Sequence, residues 1–180
     1  MMSVQMREKP VGVISKLRHL TREEIAILRP RIAISEYMTG FSRRQWRRMK
    51  AIVAYTRDGK LIGFLAIIPI NRYWNELGPV YILDEFRGQG WGSRLVDEAE
   101  LLLVGKGIYV VSHNIAMQKI MEGRPGYREL SSFWQLDLFI VIHIIRTRGE
   151  PEVICMLLAK KVLELTAQAS DRTWLRQPST

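Results

Sequence analysis

The sequence predicts an α+β domain in which strands and helices alternate along a chain of 180 residues. Two apolar runs, residues 51–56 and 61–70, flank the dipeptide Asp58-Gly59. An Asp-Gly pair between two apolar runs is the strongest short-range signal for an antiparallel β-hairpin. A further apolar run, residues 78–83, leads through a glycine-rich turn into a stretch with helical spacing. These patterns indicate a sheet with helices beside it.

The remaining elements follow from local signals. Thr21 and the carboxylates after it predict the start of a helix that Pro30 interrupts near its end. The other expected elements are strands at residues 11–17 and 108–112, helices at 42–50 and 115–122, and a second hairpin formed by 136–146 and 153–159. A helix over residues 152–166 is an alternative to the last strand. The polar tail, residues 168–180, is expected to be loosely held.

The amino-acid composition limits the classes of protein to which the chain can belong. A mass of 20.9 kDa with 47% hydrophobic and 25% charged residues is typical of one globular domain, spanning residues 1–180. A single cysteine, Cys155, excludes an internal disulfide, and its apolar neighbours indicate a buried, inert thiol. The longest apolar runs fall short of the roughly 20 residues that span a bilayer. Without a recognisable secretory signal, a cytoplasmic protein with no membrane contact is the expectation.

Basic residues are concentrated at the start of the chain. The net charge is +9, and the first 50 residues contain 12 basic and 4 acidic side chains. The helix predicted at residues 42–50 carries Arg43, Arg44, Arg47 and Arg48 at i, i+4 spacing. This face is either simply solvated or it binds an anionic partner, such as transfer RNA, DNA or an acidic protein surface, with Trp46 available to stack on a base.

The glycine-rich turn Arg87-Gly88-Gln89-Gly90-Trp91-Gly92 carries the clearest chemical signal. Glycines let a ligand approach the backbone, and the first turn of the following helix offers free N–H groups and a positive dipole end. A phosphate or pyrophosphate is therefore the expected ligand. A dinucleotide fold would need a third small residue at Ser93 and an acid after the next strand, where His113-Asn114 stands instead. The Gly-Lys-Ser/Thr of a nucleotide triphosphatase loop is absent.

The pattern Arg87-x-x-Gly90-x-Gly92 resembles the pyrophosphate-binding motif of the GNAT superfamily of N-acetyltransferases. The surrounding order of elements is also similar, as is Gly126-Tyr127, where the family often has Gly-Phe. The resemblance covers residues 51–160 and is strongest over 78–127. It implies a three-layer α+β fold with a mixed, mostly antiparallel central sheet flanked by helices, in which the fourth and fifth strands splay apart.

The resemblance implies binding of acetyl-CoA or coenzyme A, with no metal. Asn114 would contact the pantetheine region, although a helix cap is an alternative role for it. Trp91 is expected to cover the cofactor or to pack beneath it. The first 50 residues would shape the acceptor side, and a homodimer is a further expectation from the family. The implied cofactor-binding residues are Ile82, Leu83, Arg87, Gly88, Gln89, Gly90, Trp91, Gly92, Ser93 and Asn114.

The implied reaction is direct attack of a neutral primary amine on the thioester in a ternary complex, which needs a base and an acid. The tyrosine that the family often places four residues before Gly-Phe is absent, because Glu122 stands there. The candidates for proton transfer are His113, Glu76, Tyr127 and Asp84. A protein that keeps this fold without catalysis, and that binds an anionic partner through its basic surface, is the alternative function.

Overall fold

The computed structural model describes residues 12–35, 41–112, 114–130 and 172–178. The chain divides into two compact units, the first comprising residues 1–68 and 77–104, and the second comprising residues 69–76 and 105–180. The predicted second hairpin, its alternative helix, Cys155 and His113 lie outside the described residues.

The described elements form an α+β fold with a mixed sheet of eight strands, which confirms the predicted class. The strands are β1 Val13–Ile14, β2 Arg18–His19, β3 Lys50–Tyr55, β4 Leu61–Pro69, β5 Trp74–Ile82, β6 Gly107–Ser112, β7 Arg128–Leu130 and β8 Arg172–Arg176. The helices are α1 Arg22–Ala33, α2 Arg43–Arg48, α3 Trp91–Leu102 and α4 Ile115–Met121, with a 3₁₀ turn at Asp84–Phe86. In the described part of the chain, each helix is too short or too polar to cross a bilayer.

The sheet of the first unit is built around the hairpin that Asp58-Gly59 predicted. β3 and β4 pair antiparallel from Ala51↔Ala66 to Tyr55↔Leu61. The order is β1-β3-β4-β5, and β2 also pairs with β3. The single strand expected at residues 11–17 is instead two short strands on one partner, with Ser15 between them bonded to the backbone of Val53.

Helix α1 begins at a capping box, in which the Thr21 hydroxyl accepts from the Glu24 N–H and the Glu24 carboxylate accepts from the Thr21 N–H. The expected interruption at Pro30 is wrong, because the helix continues to Ala33. Leu28 and Ile32, on either side of the proline, are 0% and 1% exposed. Packing of these side chains holds the last turn despite the missing hydrogen bond.

A buried carboxylate joins three elements of the first unit. Glu24 is 5% exposed, and its two oxygens accept from the Arg18 guanidinium at 2.9 and 2.6 Å. The Tyr55 hydroxyl donates to the same carboxylate and accepts from Arg18. The side-chain hydrogen bond to Glu24 raises the pKa of Arg18. Because each charge is paired and hydrogen-bonded, this cluster is tolerated beside the core.

Helix α2 is confirmed, but its tryptophan is not available to a ligand. Trp46 is 2% exposed and packs edge-on against Phe41, at 5.2 Å between ring centroids, and near Phe64 at 6.2 Å. Met49 is buried on the same side. The expectation that Trp46 stacks on a base is therefore wrong, because the core of the first unit takes up its ring.

The second unit has the strand order β5-β6-β8-β7. Only the first three residues of β5, Trp74–Glu76, belong to this unit. β5 and β6 run parallel, and β8 pairs antiparallel with both β6 and β7. The loosely held tail is therefore a wrong expectation, because β8 lies inside the sheet with Trp174 and Leu175 buried. β5 also starts four residues earlier than expected, where the Asn71 side chain accepts from the N–H groups of Tyr73 and Trp74.

Candidate functional site

The end of β5 is tied to its neighbours before the glycine-rich turn begins. The Leu83 N–H donates to the Ile62 carbonyl of β4 at 2.9 Å. The 3₁₀ turn follows, and in it the Phe86 N–H donates to the Leu83 carbonyl at 2.8 Å. Leu83 itself is 2% exposed, in the core of the first unit. The glycine-rich turn therefore starts from a strand end that hydrogen bonds hold in place.

Two glycines give the turn its shape. Gly88 has φ 74° and Gly90, the N-cap of α3, has φ 85°, both in the left-handed region. A Cβ built at either position would meet nothing within 4 Å. The requirement for glycine is therefore conformational, since L side chains rarely adopt such φ values, and the space above the turn is open.

The turn presents backbone donors at the positive end of a helix. α3 is 12 residues long, and the Arg94 N–H donates to the Gly90 carbonyl at 3.1 Å. The N–H groups of Trp91 and Gly92 lie in the first turn, where a helix provides no acceptor. No acidic residue occupies this first turn, and residues 87–90 are exposed. The arrangement suits an anion.

The long side chains of the turn bond back to the chain that precedes it. The Arg87 guanidinium contacts Asp84 Oδ1 at 2.8 Å and donates from Nε to the Ile82 carbonyl at 3.2 Å. Gln89 donates to the Glu85 carbonyl at 3.1 Å. These bonds hold the side chains along β5 and the 3₁₀ turn, which leaves the glycine backbone exposed.

The Trp91 ring is buried in the first unit, and its expected position over or under the cofactor stays a prediction. Its ring is 2% exposed and lies against Gly12, where a Cβ would come within 2.5 Å of Cη2. The Arg94 guanidinium stands 5.1 Å from the ring centroid and donates to the Gly12 carbonyl at 3.3 Å. Sequence reasoning missed Gly12 and Arg94. The Trp91 to Arg94 spacing of three was a signal, whereas no local pattern marked Gly12.

The structure brings the predicted pyrophosphate and strand-end residues together in the first unit, and it places Asn114 in the second. Asn114 caps α4, since its side-chain oxygen accepts from the Ala116 N–H at 2.8 Å. The Asn114 N–H donates to the Ser112 hydroxyl at 3.1 Å. The alternative role as a helix cap is thus confirmed, and the contact with pantetheine stays a prediction.

The candidates for proton transfer have different surroundings. Asp84 is exposed and paired with Arg87, which is a turn-forming role. Tyr127 has a buried hydroxyl, and the Arg176 guanidinium stands 5.5 Å from its ring centroid. Glu76 is 8% exposed in the part of β5 that belongs to the second unit. Their catalytic roles stay predictions, as does that of His113, which lies outside the described residues.

Comparison with known proteins gives a family and a fold. A family model described as the acetyltransferase (GNAT) family matches residues 17–122, more than half of the chain. No curated protein sequence matches it significantly. A Mycobacterium tuberculosis protein solved in complex with CoA is similar in structure, with a TM-score of 0.60 and 14% identity over 92% of this chain and 100% of that one.

Two further solved structures are similar. N-acetylglutamate synthase from Neisseria gonorrhoeae, complexed with coenzyme A and N-acetyl-glutamate, has a TM-score of 0.59 and 14% identity. The match covers 96% of this chain but only 36% of the synthase. The ribosomal-protein-S18-alanine N-acetyltransferase from Escherichia coli has a TM-score of 0.54 and 15% identity, over 67% of this chain and 80% of that one. At these identities the likeness establishes a shared fold.

Proposed function

Because this chain belongs to the GNAT family of acetyltransferases, we propose that it transfers an acetyl group from acetyl-CoA to a primary amine in a ternary complex. The observation that carries the proposal is the exposed turn with two left-handed glycines at the N-terminus of α3. Two of the similar solved structures contain coenzyme A, which is the ligand that such a turn would suit through its pyrophosphate. The acceptor amine is left open.

The backbone of residues 87–93 would hold the pyrophosphate. A pyrophosphate oxygen needs several N–H donors that point at one place, and the first turn of α3 supplies them without a nearby carboxylate in that turn. Arg87 contributes through its backbone in this proposal, since its guanidinium bonds to Asp84 and the Ile82 carbonyl. A substitution that moves the turn should therefore weaken cofactor binding without removing any side-chain contact.

The strand end would hold the pantetheine arm through Ile82 in preference to Leu83. The Leu83 N–H already bonds to Ile62 of β4. Successive N–H groups of a strand point to opposite edges, so the Ile82 N–H faces away from β4. This donor supports the role that the family resemblance implies for Ile82, and it assigns Leu83 to anchoring the strand.

Bound acetyl-CoA would supply the thioester carbonyl that the amine attacks and the thiolate that leaves. Of the candidates in the described residues, Glu76 is the one we propose as the base for the ammonium. Asp84, the other candidate for the base in the described residues, is ion-paired with Arg87. Replacement by the isosteric amide, Glu76→Gln, tests this assignment, and it should lower kcat far more than it changes the KM for acetyl-CoA.

Thiol release from acetyl-CoA, measured against amines, polyamines, peptides and aminoacyl-tRNA, tests the proposed activity. Gly90→Ala should raise the KM for acetyl-CoA, because alanine disfavours the φ of 85° that shapes the turn. Gly105→Ala is a matched control, since Gly105 has φ 77° and lies beyond the opposite end of α3, and a Cβ built there would meet nothing within 4 Å.

Thiol release that depends on an amine, with a KM for acetyl-CoA that rises in Gly90→Ala and stays the same in Gly105→Ala, supports the proposal. CoA binding with no thiol release for any amine would favour the alternative of a GNAT-fold protein that does not catalyse acyl transfer. Equal KM values in Gly90→Ala and the wild type would refute the assignment of the turn.

A further inference from the structure

Helix α2 presents an arginine face, defined by Arg43, Arg44, Arg47 and Arg48, all of which are exposed. At 100° per residue, these four positions span a sector of about 140° around the helix. Trp46 lies on the other side of the helix and is 2% exposed. The buried ring anchors the helix on the core of the first unit, so the arginine face is held on a fixed support.

The stability of α2 accounts for Arg47 and Arg48, which lie in the last turn at the negative end of the helix dipole, but not for Arg43 and Arg44. Arg43 and Arg44 occupy the first two helical positions, at the positive end of the helix dipole, and no acidic residue offsets them in the first turn. α1, by contrast, has Glu23 and Glu24 in its first turn. The i, i+4 pairs within the arginine face also repel each other. Local rules broken in this way are expected at functional sites.

The charge of the arginine face is not neutralised within the described part of the chain. The ion pairs found there join Arg18 to Glu24, Lys60 to Glu85 and Arg87 to Asp84, and none involves this face. Lys50, which is exposed and lies two residues after the end of α2, adds a further positive charge at the start of β3. In register it stands opposite His19 of β2. The surface therefore attracts anions without competition from its described neighbours.

The surroundings favour phosphates over a protein partner. Protein interfaces are built around apolar and aromatic side chains, whereas nucleic-acid interfaces are polar and strongly positive. Among the described residues 41–60, no large apolar side chain is exposed. The planar guanidinium donates two parallel hydrogen bonds to a phosphate, which suits a row of arginines to a phosphodiester backbone.

We propose that the arginine face binds the phosphate backbone of a double-stranded nucleic acid. The contacts go to phosphates and not to stacked bases, because Trp46, the one aromatic residue of α2, is buried. Phosphate contacts make it strongly dependent on salt. The inference does not rest on the proposed acyl transfer, because it concerns a surface that the cofactor turn does not use.

Fluorescence anisotropy with labelled duplex RNA and duplex DNA of about 20 base pairs, between about 50 and 200 mM salt, tests the proposal. The slope of log affinity against log salt concentration is negative. In R43Q/R44Q it should become shallower by about 2, because two phosphate contacts are lost. Thermal stability should stay the same or rise, since both substitutions relieve charge repulsion in α2. The control R22Q/R29Q removes two exposed arginines of α1 and should leave the slope unchanged.

Binding of either duplex with these differences supports the proposal, and the preferred duplex identifies the kind of nucleic acid. Failure to bind both duplexes at low salt would overturn it. Equal losses in the α1 control would also overturn it, as would binding of polyglutamate or anionic vesicles in place of the duplexes. CoA binding, measured by calorimetry on the same variants, keeps a failure here distinct from a failure of the proposed acyl transfer.

Discussion

The indole of Trp91 lies directly on the backbone of Gly12, and a Cβ built at Gly12 would come within 2.5 Å of Trp91 Cη2. Arg94 covers the ring and donates to the Gly12 carbonyl at 3.3 Å. This contact fastens the residue before β1 to the first residue of α3. If the N–H groups of that first turn hold the pyrophosphate as proposed, Gly12 and Arg94 would be positioning residues for the cofactor.

Gly12→Ala should weaken CoA binding about tenfold, a free-energy change of about 1.4 kcal/mol. The added methyl would clash with the Tyr55 carbonyl oxygen of β3 and lie 2.5 Å from Trp91 Cη2, so both β3 and the first turn of α3 must shift. Calorimetry with CoA measures the effect, and thermal unfolding reports any loss of stability. A loss of stability with unchanged CoA affinity would assign the contact to folding alone.

Glu24→Gln should lower the free energy of unfolding by about 2 to 3 kcal/mol, because Arg18 and Tyr55 lose a charged partner in a largely buried place. Urea unfolding gives the value. The neighbouring Glu23→Gln serves as control, since Glu23 is exposed and should leave stability nearly unchanged. Similar losses in the two variants would contradict the importance of the buried cluster.

Trp174→Ala should lower the free energy of unfolding by about 3 to 5 kcal/mol, which is typical for removing a buried tryptophan. β8 pairs with β6 on one side and β7 on the other, so the substitution should destabilise both neighbouring strands. Hydrogen exchange across Gly107–Ser112 would show the effect on β6. The exposed Gln177→Ala is the control, and equal protection of β6 in both variants would argue against the central place of β8.

Stability above pH 10 should depend on Tyr81. Burial raises the pKa of the Tyr81 hydroxyl, which lies in the core of the first unit. Because the pKa is raised in the folded state, the stability that the neutral Tyr81 hydroxyl contributes is fully present below the ordinary pKa of about 10. It is lost as the pH rises through the pKa of the folded state. Urea unfolding between about pH 9 and 11 should show a shallower loss in Tyr81→Phe than in the wild type. Identical slopes would contradict this expectation.

Local signals predicted the elements that local interactions form. The hairpin at Asp58-Gly59, the cap at Thr21 and the glycine turn before α3 each depend on residues close together in the chain, and the structure has all three. The family resemblance, which placed the turn in a larger pattern, was also confirmed.

Contacts between distant residues were not predictable in the same way. β8 is a mostly polar segment with only Trp174 and Leu175 as apolar residues, and it becomes a strand because β6 and β7 offer edges on both sides. The sequence around Trp46 does not distinguish a buried ring from one that stacks on a base. Gly12 matters because the Tyr55 carbonyl and the ring of Trp91, both distant in the chain, lie against it. Each depends on the assembled fold.

The central claim is that the turn at residues 87–92 binds the pyrophosphate of coenzyme A. Calorimetric titration with CoA and with pantetheine, which lacks the pyrophosphate, tests it most directly, in the wild type and in Gly90→Glu. The wild type should bind CoA much more tightly than pantetheine, and Gly90→Glu should remove most of that difference by distorting the turn and adding a negative charge to it. Equal binding of the two ligands by the wild type, or undiminished CoA binding by Gly90→Glu, would contradict the claim.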